Sequence, residues 1–335
     1  MHTGVSEWYA TALQDLLARK DKLPHALLLT GAQGIGKQQF VDTMAAALLC
    51  RQSSTATADS TACGQCQSCQ LFKAGTHPDL YRISLPLNED GKPAKEIKVD
   101  QIRRLAQALA QTSQFGGNKI AIIDPADKMN RNAANSLLKT LEEPGADTVL
   151  ILITAYPQRL LPTVRSRCQK LQLKTPGRAT VINWLRQQFP DRNPEQLYAA
   201  AGGTPFAALN LVESNALEVR NTLFSDFRDV ALKHKNPLNS AADWTRCEPD
   251  LAFRWLRSWL QDIVALASGT ENHELLNTDL QKDLHVLASR IDLPRLYQFY
   301  DRLQQSEFFA QGSANRQLLF ESLLLEWSQH CSAGH

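Results

Sequence analysis

The chain has 335 residues, 43% of them hydrophobic and 21% charged, with a formal net charge of +2. That length is enough for two or three cores, and the charge balance excludes a protein whose main work is a broad basic face on nucleic acid, while leaving room for a local phosphate patch. No apolar run is long enough to span a bilayer, and residues 1–10 have neither the basic start nor the hydrophobic stretch of a signal peptide, so the cytosol (a cytoplasmic location) is the expected compartment. There the seven cysteines are kept reduced, and close spacing among them points to metal rather than disulfides.

Taken in order, residues 7–20 carry Leu13, Leu16 and Leu17 at the spacing of an amphipathic helix. Leu27-Leu28-Leu29-Thr30 then reads as a strand apolar on both faces, as a central parallel strand should be. The loop that follows, Gly31-Ala32-Gln33-Gly34-Ile35-Gly36-Lys37-Gln38, falls one residue short of a phosphate-binding P-loop. Gly31, Gly34, Gly36 and Lys37 meet the needs of a backbone cradle with a lysine for the phosphate oxygens. Gln38, however, stands where a Ser or Thr hydroxyl would hold Mg²⁺, and its amide is a poor ligand for a small octahedral ion. ATP with Mg²⁺ is therefore not the expected working cofactor of this loop. Residues 38–49 read as the helix behind it.

Next come Cys63-Gly64-Gln65-Cys66-Gln67-Ser68-Cys69, with Cys50 upstream at the helix end. Four thiolates with two short Cys-x-x-Cys steps can close a tetrahedral Zn²⁺ site, and four protein ligands leave no open position for catalysis. A structural zinc is expected, tying down residues 51–62, which are too rich in Ser, Thr and Ala to fold alone. His77, before Pro78, reads as a turn residue, 80–85 as a strand, 88–98 as a surface loop, and Asp100 as the N-cap of a helix over 101–111.

Lys119 to Asp124 gives a second buried strand ending in an acid, as the Walker B strand of a P-loop ATPase does. Active enzymes of that kind follow the Asp with a Glu that handles the attacking water, and here the next residue is Pro125. Asp127 reads as a helix N-cap. The helix over 127–143 contains Asn132-Ala133-Ala134-Asn135-Ser136-Leu137-Leu138-Lys139-Thr140-Leu141-Glu142-Glu143 and is stopped by Pro144. After a strand over Thr148–Thr154 comes Val164-Arg165-Ser166-Arg167-Cys168.

These last two runs closely resemble the clamp-loader branch of the AAA+ ATPases. The resemblance implies an α/β P-loop domain with a parallel sheet over 1–173, carrying the cysteine insert at 50–69. It further implies a small helical lid over 174–212 and an all-α collar for oligomerisation over 213–335. It implies that Arg167, flanked by Ser166 and Cys168, acts in trans as an arginine finger on a neighbour's nucleotide, and that Thr154 loosely matches a sensor position. Where active members place an arginine in the lid, this chain has Pro205 and Phe206. The Mg²⁺ hydroxyl, the catalytic Glu and the second sensor are all absent, so a non-hydrolysing member is expected. Lys37 and Asp124 remain as a degenerate nucleotide site. The family implies gamma/tau ATPase subunits and a delta subunit as partners, with a sliding clamp and primed DNA reached through the assembly. An active gamma/tau-type ATPase is the first alternative, disfavoured by Gln38 and Pro125. A zinc-stabilised DNA-binding module on an ATPase scaffold is the second, disfavoured by the near-neutral charge. Trp255 and Trp259, one helical turn apart, are expected in a core, and residues 315–325 in a core or a subunit interface.

Overall fold

A computed structural model describes residues 7–52, 62–88, 91, 93–269, 275–291, 293–310 and 314–331. It divides into two units, Met1–Pro176 and Gly177–His335. The first holds the strands β1 (Ala26–Thr30), β2 (Leu80–Ile83), β3 (Lys119–Ile123), β4 (Thr148–Thr154) and β5 (Gln169–Gln172). Its helices are α1 (Ala10–Leu17), α2 (Lys37–Leu49), α3 (Gln67–Lys73), α4 (Val99–Leu109), α5 (Arg131–Glu142) and α6 (Pro162–Arg165).

The strands pair in the order β2-β3-β4-β1-β5, every pair parallel. Alternation along each strand feeds two helical layers. Leu27 and Leu29, with Ile120, Ile122, Ile151 and Ile153, pack against Leu13 of α1 and Phe40, Val41 and Met44 of α2. Leu28, Ala121, Ile123, Leu150 and Leu152 point the other way, onto Ile102 and Leu105 of α4, Leu137 and Leu141 of α5, and Val164 of α6. Each such aliphatic side chain, wholly buried, contributes roughly 1.5–3 kcal/mol. The unbroken apolar runs of β1, β3 and β4 are what a sheet covered on both faces demands.

Two expected helix starts are corrected. Asp100 lies inside the first turn of α4, and the exposed start of that helix is closed instead by Gln101, whose side-chain oxygen accepts the Lys98 N–H at 3.1 Å. Asp127 does not cap α5. Asn130 does, its side-chain oxygen accepting the Ala133 N–H at 2.9 Å, because an Asn with extended backbone immediately before the helix leaves its amide oxygen free for the orphan N–H groups. Most of the 51–62 stretch, residues 53–61, lies outside the described residues.

The second unit is helical: α7 (Arg178–Gln188), α8 (Pro194–Ala200), α9 (Pro205–Glu213), α10 (Ala216–Ala231), α11 (Pro237–Trp244), α12 (Pro249–Ala267), α13 (Gln281–Ala288), α14 (Leu293–Ala310) and α15 (Arg316–His330). Asn193 and Asn236 cap α8 and α11, each followed by a Pro at the first helical position, where its missing N–H costs nothing. One core runs from Val181 of α7 to Trp327 of α15, through both the stretch expected as lid and the stretch expected as collar. Trp255 and Trp259 are wholly buried in it, as expected, and Trp255 Nε1 donates to the Ala200 carbonyl at 2.8 Å. Pro205 and Phe206 open α9, with Phe206 buried against Trp184. Phe320 and Trp327 of α15 are core, while Leu318 and Leu325 on the same helix are exposed.

Candidate functional site

The P-loop-like turn leaves the C-terminal end of β1 and enters α2. Gly36, immediately before the helix, sits at φ 97°, a left-handed conformation that a side chain would resist. Gly31 is needed for a different reason: a Cβ there would stand 2.7 Å from the Leu173 carbonyl oxygen. The ammonium of Lys37 turns back into the loop and donates to the carbonyls of Gly31 at 3.0 Å and Ala32 at 2.7 Å. Burial lowers its pKa, opposed by the nearby carboxylates of Asp124 and Asp127. Burial also raises Asp124, with Lys37 pulling the other way. Gln38 is exposed beside this pair. Thr154, at the end of β4, is bound: its hydroxyl donates to Asp127 Oδ1 at 2.5 Å and accepts the Tyr156 N–H at 2.9 Å. Asp127 thus joins the ends of β3 and β4.

The four cysteines come together. Cys50 follows α2, Cys66 precedes α3 and Cys69 lies within it. Their sulfurs all lie within 4.8 Å of one another, and the Cys50–Cys66 and Cys63–Cys69 pairs are each 3.9 Å apart. Four sulfurs held about 2.3 Å from a tetrahedral Zn²⁺ stand about 3.8 Å from each other, so the donor set fits such an ion. The Cys63 N–H points at Cys50 Sγ and the Cys66 N–H at Cys63 Sγ, both at 3.4 Å, an arrangement that supports thiolates. Backbone N–H groups of Gln65 and Cys66 push the Cys63 thiol down. Cys66 comes down to about 6 even though burial opposes it, because backbone and thiol donors surround it. Cys69, by contrast, is pushed up to about 12 by burial.

His77 opens a turn as expected, its carbonyl accepting the Leu80 N–H at 3.2 Å, and its buried side chain also ties the cysteine segment to the sheet. Its Nδ1 accepts the Asp79 N–H at 3.1 Å, which leaves the proton on Nε2, facing Ser68 Oγ at 2.8 Å. Ser68 in turn donates to the Leu49 carbonyl at 2.6 Å.

Arg167 sits at the other edge of the sheet. It precedes β5, whose first residue Gln169 pairs with Leu27 near the start of β1. The P-loop leaves the far end of that strand, so the length of β1, roughly 15 Å, separates them. One guanidinium nitrogen of Arg167 donates to the Thr163 carbonyl at 3.0 Å, and the other pairs with Glu142 Oε1 at 2.7 Å, both side chains partly exposed. Ser166 Oγ donates to the Thr163 carbonyl and the buried Cys168 Sγ to that of Val164, holding the turn. Glu142, His77, Ser68 and the Thr154–Asp127 bond were not foreseen as site features. Of these only Glu142 carried a signal: a carboxylate at the C-terminal end of a helix, where the dipole disfavours it.

Two family models match, described as "DNA polymerase III, delta subunit" over residues 9–177 and "DNA polymerase III, delta subunit, C terminal" over residues 214–329. The DNA polymerase III subunit delta' of Pseudomonas aeruginosa is 35% identical over 322 residues, 95% of each chain. The chain belongs to the delta' family of DNA polymerase III clamp-loader subunits. Within that family, the Escherichia coli delta' subunit is 30% identical over 92% of this chain and 90% of its own. Homology extends to the tau/gamma subunits: that of Haemophilus influenzae is 31% identical over 62% of this chain and 29% of its own. The clamp-loader resemblance carried by residues 132–144 and 164–168, and the expected parallel sheet followed by a helical region, are met. Among the described residues no helix is long and apolar enough to cross a membrane.

Proposed function

We propose that this delta'-family chain is the non-hydrolysing member of a cytoplasmic clamp loader and that Arg167 completes the active site of a neighbouring ATPase subunit. The observation that carries this reading is the placement of Arg167 one strand length away from the chain's own P-loop, at the opposite end of the neighbouring strands β1 and β5 and partly exposed. From there its guanidinium has access only to another chain's nucleotide, where it would stabilise charge on the transferring γ-phosphoryl group. Ser166 and Cys168 fix the turn that presents it. The chain's own loop keeps Gly31, Gly34, Gly36, Lys37 and Asp124, a cradle able to touch phosphate, but Gln38 and Pro125 supply neither the Mg²⁺ hydroxyl nor the water-handling carboxylate. In this reading the partners are gamma/tau ATPase subunits and a delta subunit, and the assembly acts on a sliding clamp at primed DNA. Residues 174–212 serve as the lid and 213–335 as the collar. Cys50, Cys63, Cys66 and Cys69 hold a structural Zn²⁺ that fastens the insert to the end of α2.

The test is steady-state ATP hydrolysis with Mg²⁺ and primed DNA. The chain alone is expected to show no turnover. The reconstituted assembly should turn over, and Arg167→Ala should lower that rate by up to 10³-fold or more, the range for arginine fingers. Turnover near one per second by the chain alone would instead make it an active ATPase subunit.

A further inference from the structure

We infer that Glu142 is a positioning residue for Arg167, aiming its guanidinium at the neighbouring subunit's nucleotide; this rests on the trans-acting reading given above. Glu142 is the last residue of α5, and Glu143 follows it before Pro144 stops the chain from continuing as helix. Two carboxylates at the negative end of a helix dipole are unfavourable unless a cation answers them. Arg167 answers one: its Nη2 meets Glu142 Oε1 at 2.7 Å.

The second restraint is the Thr163 carbonyl, which accepts from Nη1 at 3.0 Å. A guanidinium has five N–H donors in a rigid plane. Two are committed to these two acceptors, one on each terminal nitrogen, and three remain for phosphate oxygens. A flexible arginine on the surface would sample many rotamers; two acceptors on opposite terminal nitrogens restrict both the position and the plane of the group. Arginine fingers work by placing fixed charge where negative charge develops, so orientation set before the neighbour arrives is part of the rate. The acceptors come from different places, the end of α5 and the carbonyl of α6, and Leu141 of α5 packs in one core cluster with Val164 of α6. The two acceptors are therefore held at a fixed spacing by the domain core.

The carboxylate acts on the reaction only through Arg167, which fixes the test. ATP turnover is measured for the reconstituted assembly carrying wild type, Glu142→Gln, Arg167→Ala and the double variant of this subunit, with kcat and KM for ATP separated. Glu142→Gln keeps the shape and removes the charge. The expected result is a kcat about fivefold lower with KM unchanged, the scale of one partly exposed charge pair, and no further loss when the same change is made beside Arg167→Ala. If Arg167→Ala lowers kcat while Glu142→Gln leaves it unchanged or raises it, the positioning role is overturned and the finger stands. An equal loss from Glu142→Gln in both backgrounds makes Glu142 a structural residue and overturns the role as well. An unaffected Arg167→Ala removes the finger itself, and the positioning role with it.

Discussion

Replacing Cys66 by Ser should release the metal and untie the insert, and the structure gives the size of the effect. Cys50 and Cys63 are separated by 13 residues and brought into one cluster. A cross-link closing a loop of that length removes chain entropy worth about 3 kcal/mol from the unfolded state, and Cys66→Ser forfeits that restraint if the remaining three thiols no longer retain the ion. For a cooperative unit of the size of Met1–Pro176, each kcal/mol moves the melting midpoint by about 2–4 °C, so its transition should fall by about 6–12 °C. The core of Gly177–His335 shares no residue with the cysteine cluster, and its transition should stay in place. The loss should not be larger, because α3 keeps a second anchor in the Ser68 bonds to Leu49 and His77. Scanning calorimetry of wild-type and variant chains, with zinc counted by elemental analysis of freshly purified reduced protein, measures both quantities. Far less than one equivalent of zinc in the wild type, or an unmoved first transition in a variant that has lost its zinc, would refute the reasoning.

The buried His77 predicts a pH dependence. Burial lowers its pKa, with the Asp79 charge opposing, so the folded chain holds it neutral while the unfolded chain protonates it at about 6.5. The unfolded state then binds more protons below that pH, so stability is fully present above it and falls as pH drops toward the folded pKa. Urea midpoints at pH 7.5 and 5.5 should therefore differ more for wild type than for His77→Gln, and equal differences would contradict the assignment. In the second unit, the wholly buried Arg220 bonds Asp279 through both carboxylate oxygens and Asn277 through its amide oxygen. Arg220→Leu leaves those acceptors uncompensated and should cost about 3–5 kcal/mol in denaturant unfolding of that unit; a loss under 1 kcal/mol would mean that water or rearrangement satisfies them.

Strands with an unmistakable pattern were legible in the sequence, and the reason is burial on both faces. Ala26–Thr30 and Thr148–Thr154 are continuous apolar runs and fall where expected. β5 was missed because it is an edge strand: Gln169, Lys170 and Gln172 face solvent, and Leu171 alone carries an inward signal. The short α3 was hidden behind its cysteines, which announced their spacing but not the helical turn that places Cys69 opposite Cys63. The four-cysteine cluster was legible because metal geometry imposes short, recurring spacings. Contacts such as Glu142 with Arg167 or Ser68 with His77 join residues 25 and 9 positions apart through folded helices and turns, and no local pattern encodes them. Asp127 shows the same limit: its partner Thr154 is 27 residues away, across the sheet.

The same contacts explain how a P-loop can keep its shape with part of its chemistry replaced. Lys37 closes the loop on itself by donating to the part-buried Gly31 carbonyl and the exposed Ala32 carbonyl. Its charge also opposes the rise that partial burial imposes on the Asp124 pKa at the end of β3. A lysine and an aspartate at these positions therefore have structural work whether or not ATP binds, and their presence alone says nothing about turnover. What would mark a hydrolysing loop lies in the residues that have no such second use. Gln38 is exposed and Pro125 has no polar side chain, so these positions offer neither the hydroxyl that would hold Mg²⁺ nor the carboxylate that would direct water. Arg167 is the converse case: it stands on a turn that Ser166 and Cys168 hold by their own bonds, fixed there by Thr163 and Glu142, and in the proposed reading its use lies in what it reaches in another subunit.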